Sequence, residues 1–155
     1  MAEAVELDGA EELRRRVRNL PKVANASMRT AAKGIVEKEV PRIQAAAGSN
    51  KQARMVASTI RARSDRYPTI VAGGSRRLSP SRKTKGKGRP TAGEVFFGAE
   101  FGGAQRPTTK QFRPYQGRRG YFFWPTLRKD AQQIGEQWEQ AITAVEQEWS
   151  SDGRA

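Results

Sequence analysis

Apolar residues in the first third of the chain recur at three- and four-residue steps: Leu13, Val17, Leu20, Ala24, Met28, Ala31, Ile35 and Val36. That spacing gathers them on one side of a helix and predicts an amphipathic helical segment from Glu11 to about Ala47. Pro21 interrupts it, since an internal proline removes a backbone hydrogen bond and clashes with the preceding turn. The segment therefore reads as a kinked helix, or as a short helix followed by a longer one. Pro41 and the cluster Gly48-Ser49-Asn50 are expected to close it. A second stripe, Leu127, Ala131, Ile134, Trp138, Ile142, Val145 and Trp149, predicts a long last helix from Pro125 to about Trp149. Pro125 suits its first turn, where the missing N–H has no partner to lose.

Between the two helical segments the period changes. Lys51 to Thr59 reads as a short helix. Ile60 to Asp65 and Thr69 to Ala72 read as two strands joined around Tyr67 and Pro68. Gly93 to Phe101 reads as a further strand that breaks at Gly102 and Gly103. Phe112 to Phe123 reads as a hairpin turning at Gln116, Gly117 and Arg118. The expected fold class is α+β: a long N-terminal helix, a short second helix, a small antiparallel sheet with a long basic insertion loop, and a long C-terminal helix. Residues 1–10 and 151–155 are expected as tails around a single domain, 11–150. Within it, 75–90 form a basic insertion too poor in apolar residues to order on its own.

At 155 residues, 36% of them hydrophobic, the chain has material for one modest core. No apolar run approaches the roughly 20 residues that cross a membrane, and the acidic start lacks the order of a signal peptide. Net charge changes the picture more. Residues 51–119 hold 17 Lys and Arg against 3 Asp and Glu, within a chain of net charge +13. Such a block points to nucleic acid or to an acidic protein surface.

The chain has no histidine and no cysteine. That removes the commonest general base, the usual nucleophile pairs and most zinc or iron ligation. Glu136 and Glu139 stand one turn apart on a helix, a spacing typical of solvated surface. Glu100, between apolar neighbours before a glycine pair, is the most interesting carboxylate; an ion pair with a nearby arginine is its expected state. Gly86 and Gly88 lack the spacing of a phosphate loop. No catalytic, cofactor-binding or metal-binding residue is expected, and no cofactor.

Five of the six phenylalanines lie in two short stretches, 93–103 and 120–129. Within them stand Glu100-Phe101-Gly102, and Phe123-Trp124-Pro125 followed by Leu127. These elements, in this order, resemble the tail-completion or neck proteins of long-tailed phages, minor tail components between head connector and tail. Glu100-Phe101-Gly102 matches the family's glutamate-phenylalanine-glycine element at a strand end. Phe123-Trp124-Pro125 with Leu127 falls where the family begins its last helix, and Met55 to Ile60 resembles the lead into its first strand. Two departures stand out. Ala47-Gly48-Ser49-Asn50 replaces the usual proline-x-aspartate-threonine-glycine turn, and Gly103 replaces a threonine.

The resemblance implies a non-enzymatic structural virion protein, in the tail or neck, made in the host cytoplasm. It implies a homo-oligomeric ring, sixfold in that family, beside the tail terminator, the head-tail connector and the tail tube. Glu100, Phe101, Gly102, Gly103, Phe123, Trp124, Pro125 and Leu127 are then expected to form the structural or interface site, meeting around the glycine break. Arg82, Lys83, Lys85, Lys87 and Arg89 are expected to contact a neighbouring subunit or DNA, serving assembly more than sequence-specific reading. The alternative is a basic nucleic-acid-binding protein contacting the phosphate backbone, with Tyr115, Tyr121 and Phe123 stacking on bases beside Arg113, Arg118 and Arg119.

Overall fold

The computed structural model describes residues 9–78, 89–104 and 111–151. The fold is α+β, with six α-helices and a two-stranded antiparallel sheet among the described residues. The chain divides into two compact units: residues 1–40, 62–70 and 127–155 form the first, and residues 41–61 and 71–126 the second.

In the first unit, α1 (Ala10–Asn19) stops where Leu20 turns extended ahead of Pro21. A 3-10 turn (Lys22–Ala24) leads into α2 (Asn25–Glu37). Of the two forms that Pro21 allowed, the chain takes a short helix and then a longer one. Most of the expected apolar stripe is the core: Leu13 and Val17 from α1, and Met28 and Ile35 from α2, pack with Ile134, Trp138, Ile142 and Val145 of α6 (Phe123–Ser151), while Ala32 is the buried alanine of α2 and the expected Leu20 and Ala31 are only partly buried. Tyr67 meets the Trp138 ring edge-on at 5.9 Å. Tyr67 lies in the turn between β1 (Arg61–Arg63) and β2 (Thr69–Val71).

Pro41 does not close the helical segment. It sits in the first turn of α3 (Glu39–Ala46), and the break falls one turn earlier at Lys38. A first-turn proline loses no intrahelical bond, whereas continuing α2 through Pro41 would require the N–H that proline lacks. The α3 segment ends at Gly48, whose φ of 59° favours glycine.

In the second unit, α4 (Lys51–Ala57) starts at Asn50, whose side chain accepts from the Ala53 N–H at 2.9 Å. It packs on α5 (Ala92–Phe101). The expected strand over Gly93 to Phe101 is therefore a helix. Thr91 caps it: its hydroxyl accepts from the Glu94 N–H while Glu94 reaches back to the Thr91 N–H at 2.6 Å. This capping box satisfies two backbone donors at once. The buried residues Ala92, Val95, Phe96 and Ala99 follow helical spacing. The run is apolar on nearly every side, so alternation could not separate helix from strand.

The expected hairpin over Phe112 to Phe123 is also corrected. Its turn residues form a 3-10 turn, Gly117–Arg119, and the described residues before it bond to the end of α5 instead of to a partner strand. Pro114 in this stretch has no N–H for a ladder.

Before α5, the two ends of the insertion pair with each other. Leu78 N–H bonds Pro90 O at 2.9 Å, Ala92 N–H bonds Arg76 O at 2.8 Å, and Arg77 and Thr91 form an antiparallel bridge. The rest of the insertion, 79–88, lies outside the described residues.

Candidate interaction site

Glu100 is fully buried at the end of α5. Its carboxylate accepts the backbone N–H groups of Phe122 (3.1 Å) and Phe123 (2.9 Å) on Oε2, and of Trp124 (2.9 Å) on Oε1. These are donors at the start of α6, where no preceding turn supplies acceptors. Pro125 follows and has no N–H to satisfy. A carboxylate 22 to 24 residues earlier in sequence thus caps the helix, favoured by the positive end of the helix dipole. The expected arginine partner is not what holds it; its partners among the described residues are these three N–H groups.

Two glycines make room for this junction. Gly120 has φ 72°, and a Cβ there would overlap Glu100 Oε1. Gly102 has φ 82°, and a Cβ there would overlap Pro114 O. Both positions exclude other residues on conformation as well as on space.

Residues 111–116 then clamp the end of α5. Gly103 N–H bonds Arg113 O and Gln116 N–H bonds Phe101 O, each at 2.9 Å. The Phe112 ring lies over Gly98, where a Cβ would come within 2.6 Å of it. Arg113 donates to Ala99 O at 3.2 Å, and its guanidinium lies 3.7 Å above the Tyr121 ring. Tyr121 in turn donates its hydroxyl to Pro114 O at 2.6 Å. A cation at a helix C-terminus and over an aromatic face is favourable on both counts.

The expected site residues separate into layers. Phe123 is buried, edge-on to Phe96 at 5.3 Å and to Trp124 at 5.3 Å. Phe101 is half-buried and stacks on Phe97, which is 59% exposed. Tyr115 is 69% exposed. Leu127 belongs to the first unit, where it packs on the Trp138 core. Of the basic residues, Arg82, Lys83, Lys85 and Lys87 lie outside the described residues; Arg89 is half-buried, and its carbonyl accepts from Arg77 Nη1 at 3.1 Å. The stacking surface expected of Tyr115, Tyr121 and Phe123 is not assembled as such. Phe123 is in the core, and Arg113 occupies a face of Tyr121.

The first unit carries an open groove of about 820 Å³ lined by residues that include Glu12, Arg16, Arg128, Glu136 and Glu139. Arg16 crosses from α1 to Glu146 at 2.6 Å and to Glu139 at 3.9 Å. The hydrogen bond from Arg16 holds the Glu146 carboxyl below its ordinary range, and the same bond raises the Arg16 guanidinium. Among the described residues, no group of three or more His, Cys, Asp or Glu is placed to hold a metal ion, and no helix is long and apolar enough to cross a membrane.

The clamp of Phe112 and Arg113 escaped the sequence reading, because ring-on-glycine and cation-on-ring contacts leave no periodic trace. The capping box did leave one, Thr91 followed three residues later by Glu94. Comparison with protein-family models, with curated proteins and with solved structures finds no match for this chain.

Proposed function

We propose that this chain is a non-enzymatic structural subunit of a phage tail, a tail-completion or neck protein. It assembles into a homo-oligomeric ring at the head-to-tail junction, beside the tail terminator, the head-tail connector and the tail tube. The observation that carries this reading is the sequence resemblance at Glu100-Phe101-Gly102 and at Phe123-Trp124-Pro125 with Leu127; the first of these closes a helix here, where the family has a strand end. The geometry supports it by giving most of those residues a joint purpose. Glu100 caps the helix that Phe123 begins, and Gly102 admits the clamp that follows. The junction also presents Phe97 and Tyr115 outward, apolar surface of the kind that a neighbouring subunit covers.

The test is a mass measurement by native mass spectrometry on the full chain, alone and mixed with the other tail components of its phage. Alone it is expected as a monomer or a labile oligomer; with its neighbours it is expected to form a ring. Phe97→Ser with Tyr115→Ser should weaken that ring while leaving the monomer folded. A chain that stays monomeric with every tail component, and whose deletion leaves tails joined normally, would overturn the reading.

A further inference from the structure

The net charge of +13 resides in one of the two units. Across its residues the second unit has sixteen Lys and Arg against two Asp and Glu, while the first has thirteen against fourteen. The first unit balances its cations internally, with Arg14 on Glu11 at 2.9 Å, Arg15 on Glu12 at 2.6 Å, Arg16 on Glu146 at 2.6 Å and Lys33 on Glu37 at 3.2 Å. In the second unit both carboxylates are occupied at helix starts. Glu94 closes the capping box of α5, and Glu100 accepts the three N–H groups of α6.

The cations stand outward. Lys51, Arg54, Arg76, Arg77, Arg118 and Arg119 are all exposed. Arg76 and Arg77 lie on the paired base beside the start of α5, and Arg118 and Arg119 lie in the 3-10 turn that contacts α5. The two groups stand near the two ends of α5, a ten-residue helix about 15 Å long, a span over which a duplex carries a negative charge every ~1.7 Å along its axis.

A second copy of the chain does not neutralise this surface, because each copy adds another +13. An acidic protein is the weaker fit. Protein interfaces deplete charge at their centres, whereas here one sign is spread over a helix, a paired loop base and a turn. All the described cations of the unit are arginine except Lys51. The planar guanidinium fork matches phosphate oxygens two at a time.

We infer that the second unit is a sequence-independent docking surface for the phosphate backbone of double-stranded DNA. The cationic surface stands apart from the ring reading; the choice of DNA over RNA rests on that reading. The expectation that cations serve assembly concerned 82–89, whereas this surface is built from described residues outside that segment.

The experiment is fluorescence anisotropy of labelled random-sequence duplexes titrated with the full chain over a salt series. Duplexes of unrelated sequence should bind alike, with the logarithm of affinity falling linearly with the logarithm of salt. Replacing Arg76, Arg77, Arg118 and Arg119 by Gln should lower that slope by about 3 to 4, near 0.9 per lost phosphate contact. Lys51→Gln with Arg54→Gln should lower it by about 2, and provides a readout if the fourfold variant does not fold. Arg14→Gln with Arg15→Gln, in the first unit, should leave it unchanged. The inference is overturned by an absence of duplex binding at low salt or by slopes unchanged in the folded second-unit variants. Tighter binding to polyglutamate or to duplex RNA than to DNA would also overturn it. Ring formation without DNA binding sinks this inference alone, and DNA binding without a ring sinks the functional proposal alone.

Discussion

Glu100 shows how far one side chain can reach in this fold. Replacing it by Ala leaves three backbone donors at the start of α6 without their acceptor. With charge-assisted bonds worth about 1.5–3 kcal/mol each and not additive, we expect a loss of about 3–5 kcal/mol in urea unfolding. Gly120→Ala should destabilise through the same contact, because its Cβ would displace the carboxylate. The two changes together should cost clearly less than their sum, which a double-mutant cycle measures. Glu146 yields a prediction of the opposite size. Its folded carboxyl is depressed by Arg16, so the stabilisation is present above the ordinary glutamate value of about 4.5 and is lost as pH falls through the folded value. The pair is partly solvated, so the amount is ~1 kcal/mol or less. Glu146→Gln should flatten the acid limb of a stability–pH curve by that amount and leave the limb above pH 7 unchanged.

Helices α1, α2 and α6 were legible because one-sided burial writes a 3.6-residue period into the sequence; Val17, Met28 and Ile142 lie where that period puts them. Trp138→Ala should therefore cost about 3–5 kcal/mol in thermal or urea unfolding. Trp138→Phe should cost less, since Trp138 Nε1 is buried with no hydrogen-bond acceptor among the described residues. Helix α5 was illegible by the same criterion. With Val95, Phe96 and Ala99 buried and Phe97 exposed, apolar residues fill both of its sides and periodicity vanishes. What specifies that helix is its start. Thr91→Ala should remove about 1 kcal/mol and raise amide exchange in the first turn of α5 ahead of the rest of the second unit. The junction itself was half legible. The residues Glu100 to Gly102 stood out, but a contact spanning 22 residues to a backbone N–H has no sequence signature.

The two units are nested in sequence: the second lies between the end segments of the first and itself encloses residues 62–70 of the first. That nesting has a consequence for how the protein is made. A ribosome finishes residues 41–126 while the first unit still lacks Ile134, Trp138, Ile142 and Val145, four of the ten buried residues of its core. Leu13, Val17 and Met28, synthesised early, must wait for Ile134 to Val145 before they are covered. The inner unit is thus completed before the outer one, and α1 and α2 spend the interval as apolar surface that a chaperone can hold. A chain stopped after Asp130 should keep slow amide exchange in α4 and α5 and lose it in α1 and α2. Equal loss in both sets of helices would mean that the second unit does not form until the first is complete.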